Sequence, residues 1–284
     1  MIAAGADLAP PEPAARLLRW LAAGTDDRVP SVMIVAAHPD DEVIGVGAQL
    51  PRLPGVTLVH TTDGAPRDGR DANAAGFASW QTYASARRAE LAAALRLSAV
   101  APRAARGLGL ADQSASFQLV ELAQALAATF AELRPEVVIT HPYEGGHPDH
   151  DATAFAAHAA CALLARRRVQ PPALVEMTSY HAGEGGLVAS CFLPWPGIAV
   201  TTLVLDAPAR ARKRELVACF ATQQAVLAQF PLEVERFRPA PAYDFARPPH
   251  DGRLYYEGFD WGVDGMRWRG LARAARERLG LGVP

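Results

Sequence analysis

Short apolar runs alternating with amphipathic stretches constrain the fold of this chain more than any other feature. The runs are 31–37 (SVMIVAA), 56–62 (VTLVHTT) and 137–141 (VVITH), rich in β-branched residues and each ended by a polar turn. The first is apolar on both faces, as a central parallel strand must be. Between and after them lie 82–97, 117–133 and 152–166, where apolar residues recur at spacings of three and four, the mark of one buried helix face. Alternation of this kind predicts right-handed βαβ crossovers and an α/β fold with a doubly wound, mostly parallel sheet. Ligands of such sheets collect outside the carboxyl ends of the strands.

Beyond residue 170 the pattern loosens. Strands are expected at 174–180 and 198–205, a helix at 207–229 and a closing helix at 267–279. The Pro-rich stretch 231–249 has no low-complexity bias and leads to the aromatics Tyr255, Tyr256, Phe259 and Trp261, so it reads as a loop docked on the fold rather than a linker. A length of 284 residues without an internal boundary suits one large α/β unit. The expectation is a single domain over 1–284, with 231–266 a covering segment.

Half the residues are hydrophobic, a fifth are charged and the net charge is −2, which excludes a disordered chain and argues against a nucleic-acid partner. Cys161, Cys191 and Cys219 form no CxxC pair and read as buried small hydrophobes in a reducing cytoplasm. The N-terminus lacks the basic-then-apolar order of an export signal. The apolar stretches 152–165 and 190–205 are too short, or are broken by Pro194 and Pro196, to span a membrane. The expected setting is therefore the cytoplasm, with no membrane partner.

Two polar clusters follow predicted strands: Ala37-His38-Pro39-Asp40-Asp41-Glu42 and Gly146-His147-Pro148-Asp149-His150-Asp151. Both fall at the same sheet edge, so His38, Asp41 and His150 can meet as two imidazoles and one carboxylate. Three protein ligands leave a fourth position for water, the pattern of catalytic rather than structural zinc. Zinc lowers the pKa of its water to about 7 and polarises a carbonyl, chemistry suited to amide or ester hydrolysis. Asp40, beside the ligand Asp41, is the expected base, and His147 the expected stabiliser of the oxyanion.

The neighbouring polar residues read as structural. Glu42 suits the first turn of a helix or the orientation of His38. Asp149 and Asp151 suit the start of the following helix. His60, His158, His181 and His250 read as satisfied structural residues, while His141 ends a strand at the active edge and stays open between the two readings. Arg210, Arg212, Lys213 and Arg214 read as a solvated face. Gly45-Val46-Gly47 lacks the third glycine of a dinucleotide loop.

The motifs AHPDDE and HPDH together resemble those of the LmbE-like, or PIG-L, deacetylases, zinc enzymes that remove acetyl from N-acetylglucosamine-containing molecules. The resemblance runs, more weakly, from about 31 to 224. It implies a Rossmann-like three-layer αβα fold, Zn2+ on His38, Asp41 and His150, Asp40 as general base and His147 as transition-state stabiliser. It further implies contacts of Arg87, from the segment containing Glu90 and Leu91, and of Asp112 with the substrate sugar. Ala221-Thr222-Gln223 resembles a late helix motif. Where some relatives place a Tyr two residues before the first His of HPDH, this chain has Gly145, with Tyr143 nearby.

The expectation is thus a metal-dependent hydrolase that removes the N-acetyl group from an N-acetylglucosamine-like amino sugar or its conjugate, with a small amino sugar as its partner. Imidazole and carboxylate ligands also suit Fe2+. Two alternatives stand beside it. One is an amidase for a longer acyl group or a conjugate. The other is a catalytically idle sugar- or metal-binding protein, against which the intact Asp40 counts.

Overall fold

Val32–Ala36 forms β1, and each of its five residues is buried, which places it inside a sheet covered on both faces. Around it the computed structural model describes residues 10–24, 28–101 and 104–282. α1 (Glu12–Ala23) precedes β1, which is followed by α2 (Asp41–Val46), β2 (Thr57–Pro66), α3 (Arg70–Ala74), α4 (Trp80–Leu97) and β3 (Ala105–Asp112). The chain continues through α5 (Leu119–Leu133), β4 (Val137–Thr140), α6 (Pro148–Arg166), β5 (Ala173–Met177), and the hairpin β6 (Tyr180–Gly183) and β7 (Gly186–Ala189). β8 (Thr201–Val204), α7 (Ala207–Ala218), α8 (Gln224–Leu227), β9 (Val234–Pro239) and α9 (Gly265–Arg278) complete it.

The main sheet runs β3-β2-β1-β4-β5-β9-β8. The first five strands are parallel, and β9 is antiparallel to both of its neighbours. Strand order reverses between β1 and β4, whose register pairs Met33 with Val138 and Ile34 with Ile139. Their carboxyl ends therefore open side by side at the switch point, where ligands of such sheets bind.

Side chains alternate along β1. Met33 and Val35 pack with Val59 and Val138 against Leu122, Leu126 and Phe130 of α5, Phe155 of α6 and Trp268 of α9. Ile34 and Ala36 pack with Leu58, Ile139 and Val175 against Leu17 and Leu21 of α1 and Leu95 of α4. The result is the expected three-layer α/β/α arrangement.

Several elements depart from the sequence reading. β2 continues through Asp63-Gly64 to Pro66, with register shifts against β3 and Gly64 at φ +65°. β3 was not expected: it is an edge strand, half-exposed along much of its length and interrupted by Gly107 and Gly109. The expected strand 174–180 divides into β5 and β6, and Thr178 and Ser179 leave the sheet between them. The expected helix 207–229 stops at Ala218, where the Gln224 side chain donates to the carbonyls of Val217 and Phe220 and closes the helix end.

The segment 231–266 is not wholly a covering loop, because its residues 234–239 form β9 inside the sheet. Pro231 precedes the strand and Pro239 ends it, positions where a missing N–H does least harm. Lys213 is also not on a solvated face. It is 1% exposed, donating to the Ile44 carbonyl at 2.7 Å and to Glu235 at 2.9 Å, so α7 is pinned to both α2 and β9. The three cysteines are free and only half-buried. No helix among the described residues is long and apolar enough to cross a membrane. Residues 1–9, the start of the stretch read for an export signal, lie outside the described residues.

Candidate active site

The first cluster turns sharply out of β1. Asp40 has φ 135°, a conformation L-residues avoid at a cost of about 1–3 kcal/mol, and it is held there from three sides. The Asp40 N–H donates to Glu42 at 3.1 Å, and the same Glu42 oxygen lies 2.9 Å from His60 Nε2. Glu42 thus braces the turn rather than orienting His38. From α4, Arg87 reaches Asp40 Oδ2 at 3.0 Å, the Pro39 carbonyl at 2.7 Å and the Gly64 carbonyl at 2.8 Å. The turn sends Asp40 and Asp41 in different directions, and Asp41 begins α2 with its Oδ2 accepting the His38 N–H at 2.7 Å.

The second cluster is the first turn of α6 rather than a loop before it, since Pro148 already opens the helix, where its missing N–H costs nothing. His147 caps it: Nδ1 accepts the Asp149 N–H at 3.1 Å, which leaves the proton of the neutral ring on Nε2. Asp149 and Asp151 do not cap their own helix. Asp149 accepts from the Gln113 and Ala115 N–H groups at 2.6 and 3.0 Å, and Asp151 from Glu144 and Gly145 at 3.2 and 3.1 Å. They clamp the neighbouring loops to α6. Gly146 is required because a Cβ there would run into the Tyr180 carbonyl.

Between the clusters three donors converge. His38 Nδ1 lies 3.3 Å from Asp41 Oδ2 and 3.3 Å from His150 Nε2, and His150 Nε2 lies 3.2 Å from Asp41 Oδ1. An edge of about 3.3 Å is what ligand bonds near 2.0 Å make in a tetrahedral zinc site. Of the outer nitrogens, His150 Nδ1 is hydrogen-bonded to Ser179 Oγ at 3.1 Å, as a metal-binding imidazole requires, and His38 Nε2 lies 3.0 Å from Asp112 Oδ1. A divalent cation therefore fits these residues.

The charges agree. Burial disfavours a charged His38, yet Asp112 outweighs it and raises the pKa well above the usual value. Burial would also raise Asp41, but His150 and His141 hold it well below the carboxylate range. Burial lowers His150 to about 4 and His147 to about 3. Asp40 is pushed up to about 8 by burial, opposed by Arg87 and reinforced by Asp41. A cation entering this set displaces the His38 proton.

Other expected residues fall as follows. Arg87 is 3% exposed and its bonds all go to the Asp40 turn and Gly64, while Asp112 sits by His38, 3.8 Å from His147 Nε2. His141 lies at the centre: its Nε2 accepts the Ala37 N–H at 3.0 Å, and its ring stacks on His150 at 4.1 Å. Tyr143 points away, donating to the Arg247 carbonyl and stacking on Trp268. His158 is buried between Tyr243 and Phe245, and His181 and His250 contact only local carbonyls. Two rings that the motifs do not announce stand against the site, Tyr180 on His150 and Trp261 on His147. The aromatic cluster at 255–261 was the only sequence signal for the second.

Residues 33–161 match the family model described as GlcNAc-PI de-N-acetylase, PIG-L. The match is to this segment, somewhat under half of the chain. It carries both clusters and ends within α6. A probable N-acetyl-alpha-D-glucosaminyl L-malate deacetylase 2 of Bacillus subtilis strain 168 is 30% identical over 125 residues, 43% of this chain and 56% of that protein. A 1D-myo-inositol 2-acetamido-2-deoxy-alpha-D-glucopyranoside deacetylase of Rhodococcus erythropolis strain PR4 is 33% identical over 142 residues, 42% of this chain and 48% of that protein. The chain thus matches about half the length of these curated relatives. A solved deacetylase of teicoplanin biosynthesis shares the fold, at 20% identity and a TM-score of 0.57 over 73% of this chain and 96% of its own.

Proposed function

We propose that this chain is a metal-dependent hydrolase that removes the N-acetyl group from an N-acetylglucosamine-like amino sugar or its conjugate. One observation carries the reading: His38 Nδ1 and His150 Nε2 lie 3.3 Å apart and each lies 3.2–3.3 Å from one or the other oxygen of Asp41, beside a carboxylate, Asp40, that is held separately from them. His38, Asp41 and His150 would hold Zn2+, which when bound supplies an acidified water and polarises the acetamide carbonyl. The metal-binding state needs no rearrangement of the two outer nitrogens described above.

Asp40 Oδ2 is taken by Arg87, so Oδ1 is the atom that accepts the proton of the attacking water. His147 donates its Nε2–H to the carbonyl oxygen as that oxygen gains charge. When the C–N bond breaks, Asp40 returns its proton to the nitrogen, giving acetate and a free amine. Arg87 acts by holding Asp40, and Asp112 by orienting His38 and facing His147. The acetamido sugar common to the names of the two curated relatives supports the sugar half of the substrate, and the three free cysteines are in keeping with a cytoplasmic enzyme.

The test is acetate release by the zinc-loaded full chain from N-acetylglucosamine and its glycosides, with metal analysis alongside. Asp40→Asn is expected to retain the metal and lose about 100-fold or more in kcat. A chain carrying one metal ion that releases acetate from no acetylated amino sugar refutes the reading, and release of a longer acyl group instead would make it an amidase.

A further inference from the structure

The residues that follow the PIG-L segment contribute an aromatic wall to the site. His150 meets Tyr180 at 5.3 Å between ring centroids, Tyr180 meets Tyr255 at 5.5 Å and Tyr255 meets Phe259 at 5.3 Å. Phe259 stacks on Trp261 at 4.4 Å, Trp261 meets His147 at 4.6 Å and His147 meets His150 at 5.2 Å. Six rings thus form a closed circuit that passes through His147, the N-cap of α6, and His150 in its first turn. Phe259 is 43% exposed, although a core would be the ordinary place for so many aromatic rings.

The tip of this wall has the sequence Gly258-Phe259-Asp260-Trp261-Gly262. Gly262 needs its glycine, at φ +71°, whereas a Cβ on Gly258 would meet nothing and its φ demands none. Asp260 at the tip lies 3.6 Å from Arg70 on α3, both side chains exposed. Arg70 is itself shared with Asp68 at 3.1 Å. Arg70, beside the tip, is therefore already matched by two carboxylates.

We propose that Trp261, with Phe259 and Tyr255, is the specificity-determining wall of the site and selects a glycoside whose aglycone is uncharged and presents a flat apolar face. The inference rests on the deacetylase reading. With the acetamide carbonyl at His147 Nε2, the nitrogen is on the sugar carbon next to the glycosidic carbon. A group attached there is within reach of Trp261, whose ring lies 4.6 Å from that of His147 between centroids. Ring-on-ring contact rewards a phenyl group or the C–H face of a second pyranose, and nothing on the wall offsets the desolvation of a carboxylate.

The experiment compares phenyl N-acetylglucosaminide, the carboxymethyl glycoside and free N-acetylglucosamine on the zinc-loaded chain, on Trp261→Ala and on Trp261→Phe. The wild type is expected to favour the phenyl over the carboxymethyl glycoside about tenfold in kcat/KM. Trp261→Ala is expected to reduce the phenyl-to-free ratio about fivefold, through KM, with zinc content unchanged, and Trp261→Phe to restore most of it. Preference for the carboxymethyl glycoside, or an equal loss on all three substrates, overturns the wall. If no substrate yields acetate, the deacetylase reading has failed. The wall is then judged by calorimetric binding of the phenyl glycoside, which it requires to be tighter to the wild type than to Trp261→Ala.

Discussion

Replacing Arg87 by Met separates two roles for this side chain, sugar contact and support of the Asp40 turn. The guanidinium is 3% exposed and makes hydrogen bonds to the Pro39 and Gly64 carbonyls and to Asp40. Its removal leaves Asp40 buried without its cation and two carbonyls without donors. Breaking a buried pair in this way costs about 3–5 kcal/mol. For 284 residues the unfolding entropy is about 0.6 kcal/mol/K, so Tm is expected to fall by about 5–8 °C. Because Asp40 sits at φ 135° and loses one of its restraints, kcat should fall with KM little changed. Arg87→Lys keeps the charge but not the fork, and should recover part of the stability and less of the rate. Scanning calorimetry and steady-state kinetics on the same preparations read both effects. A rise of tenfold or more in KM with Tm and kcat intact would show that the guanidinium binds sugar, and would refute this reasoning.

Three further outcomes follow from other contacts. Zinc at about 100 times its dissociation constant should stabilise the chain by about 2.7 kcal/mol, or about 4–5 °C in Tm, and a chelator should reverse this; a shift that persists in Asp41→Asn would place the metal elsewhere. Lys213→Met should cost about 3–5 kcal/mol in urea unfolding, because Glu235 loses its buried cation; a change under 1 kcal/mol would mean that Glu235 is satisfied without it. Glu144 and Glu176 share Arg238, and burial raises them from 4.5 to about 8 and about 7. The fold keeps protons that the unfolded chain releases, so stability should fall as pH rises from about 4.5 to about 8. Glu144→Gln should flatten that descent in urea midpoints taken at intervals across it, and an unchanged slope would contradict the assignment.

The parts of the molecule legible in the sequence are those whose signal is local. β1 reads from its own uninterrupted apolar residues, and His38, Asp41 and His150 from clusters that end predicted strands. What escaped depends on partners far along the chain. The stretch 231–249 reads as a docked loop, yet Glu235 and Arg238 within it are each partnered inside the fold, by Lys213 and by Glu144 and Glu176. Lys213 was misread for the same reason; Asp149 and Asp151 do begin α6, but the N–H groups they accept belong to other segments. Trp261 reaches His147 from more than a hundred residues away, with no periodicity to announce it.

The place of β9 bears on how the chain is made. During synthesis both polar clusters emerge early, but the outer hydrogen-bonding side of β5 has no neighbour until residues 234–239 leave the ribosome. A bare parallel-sheet edge of apolar strands invites pairing with other nascent chains. Fragments that end between β5 and β9 should therefore be sticky, and expression of shortened forms is expected to yield soluble protein only once β9 is included.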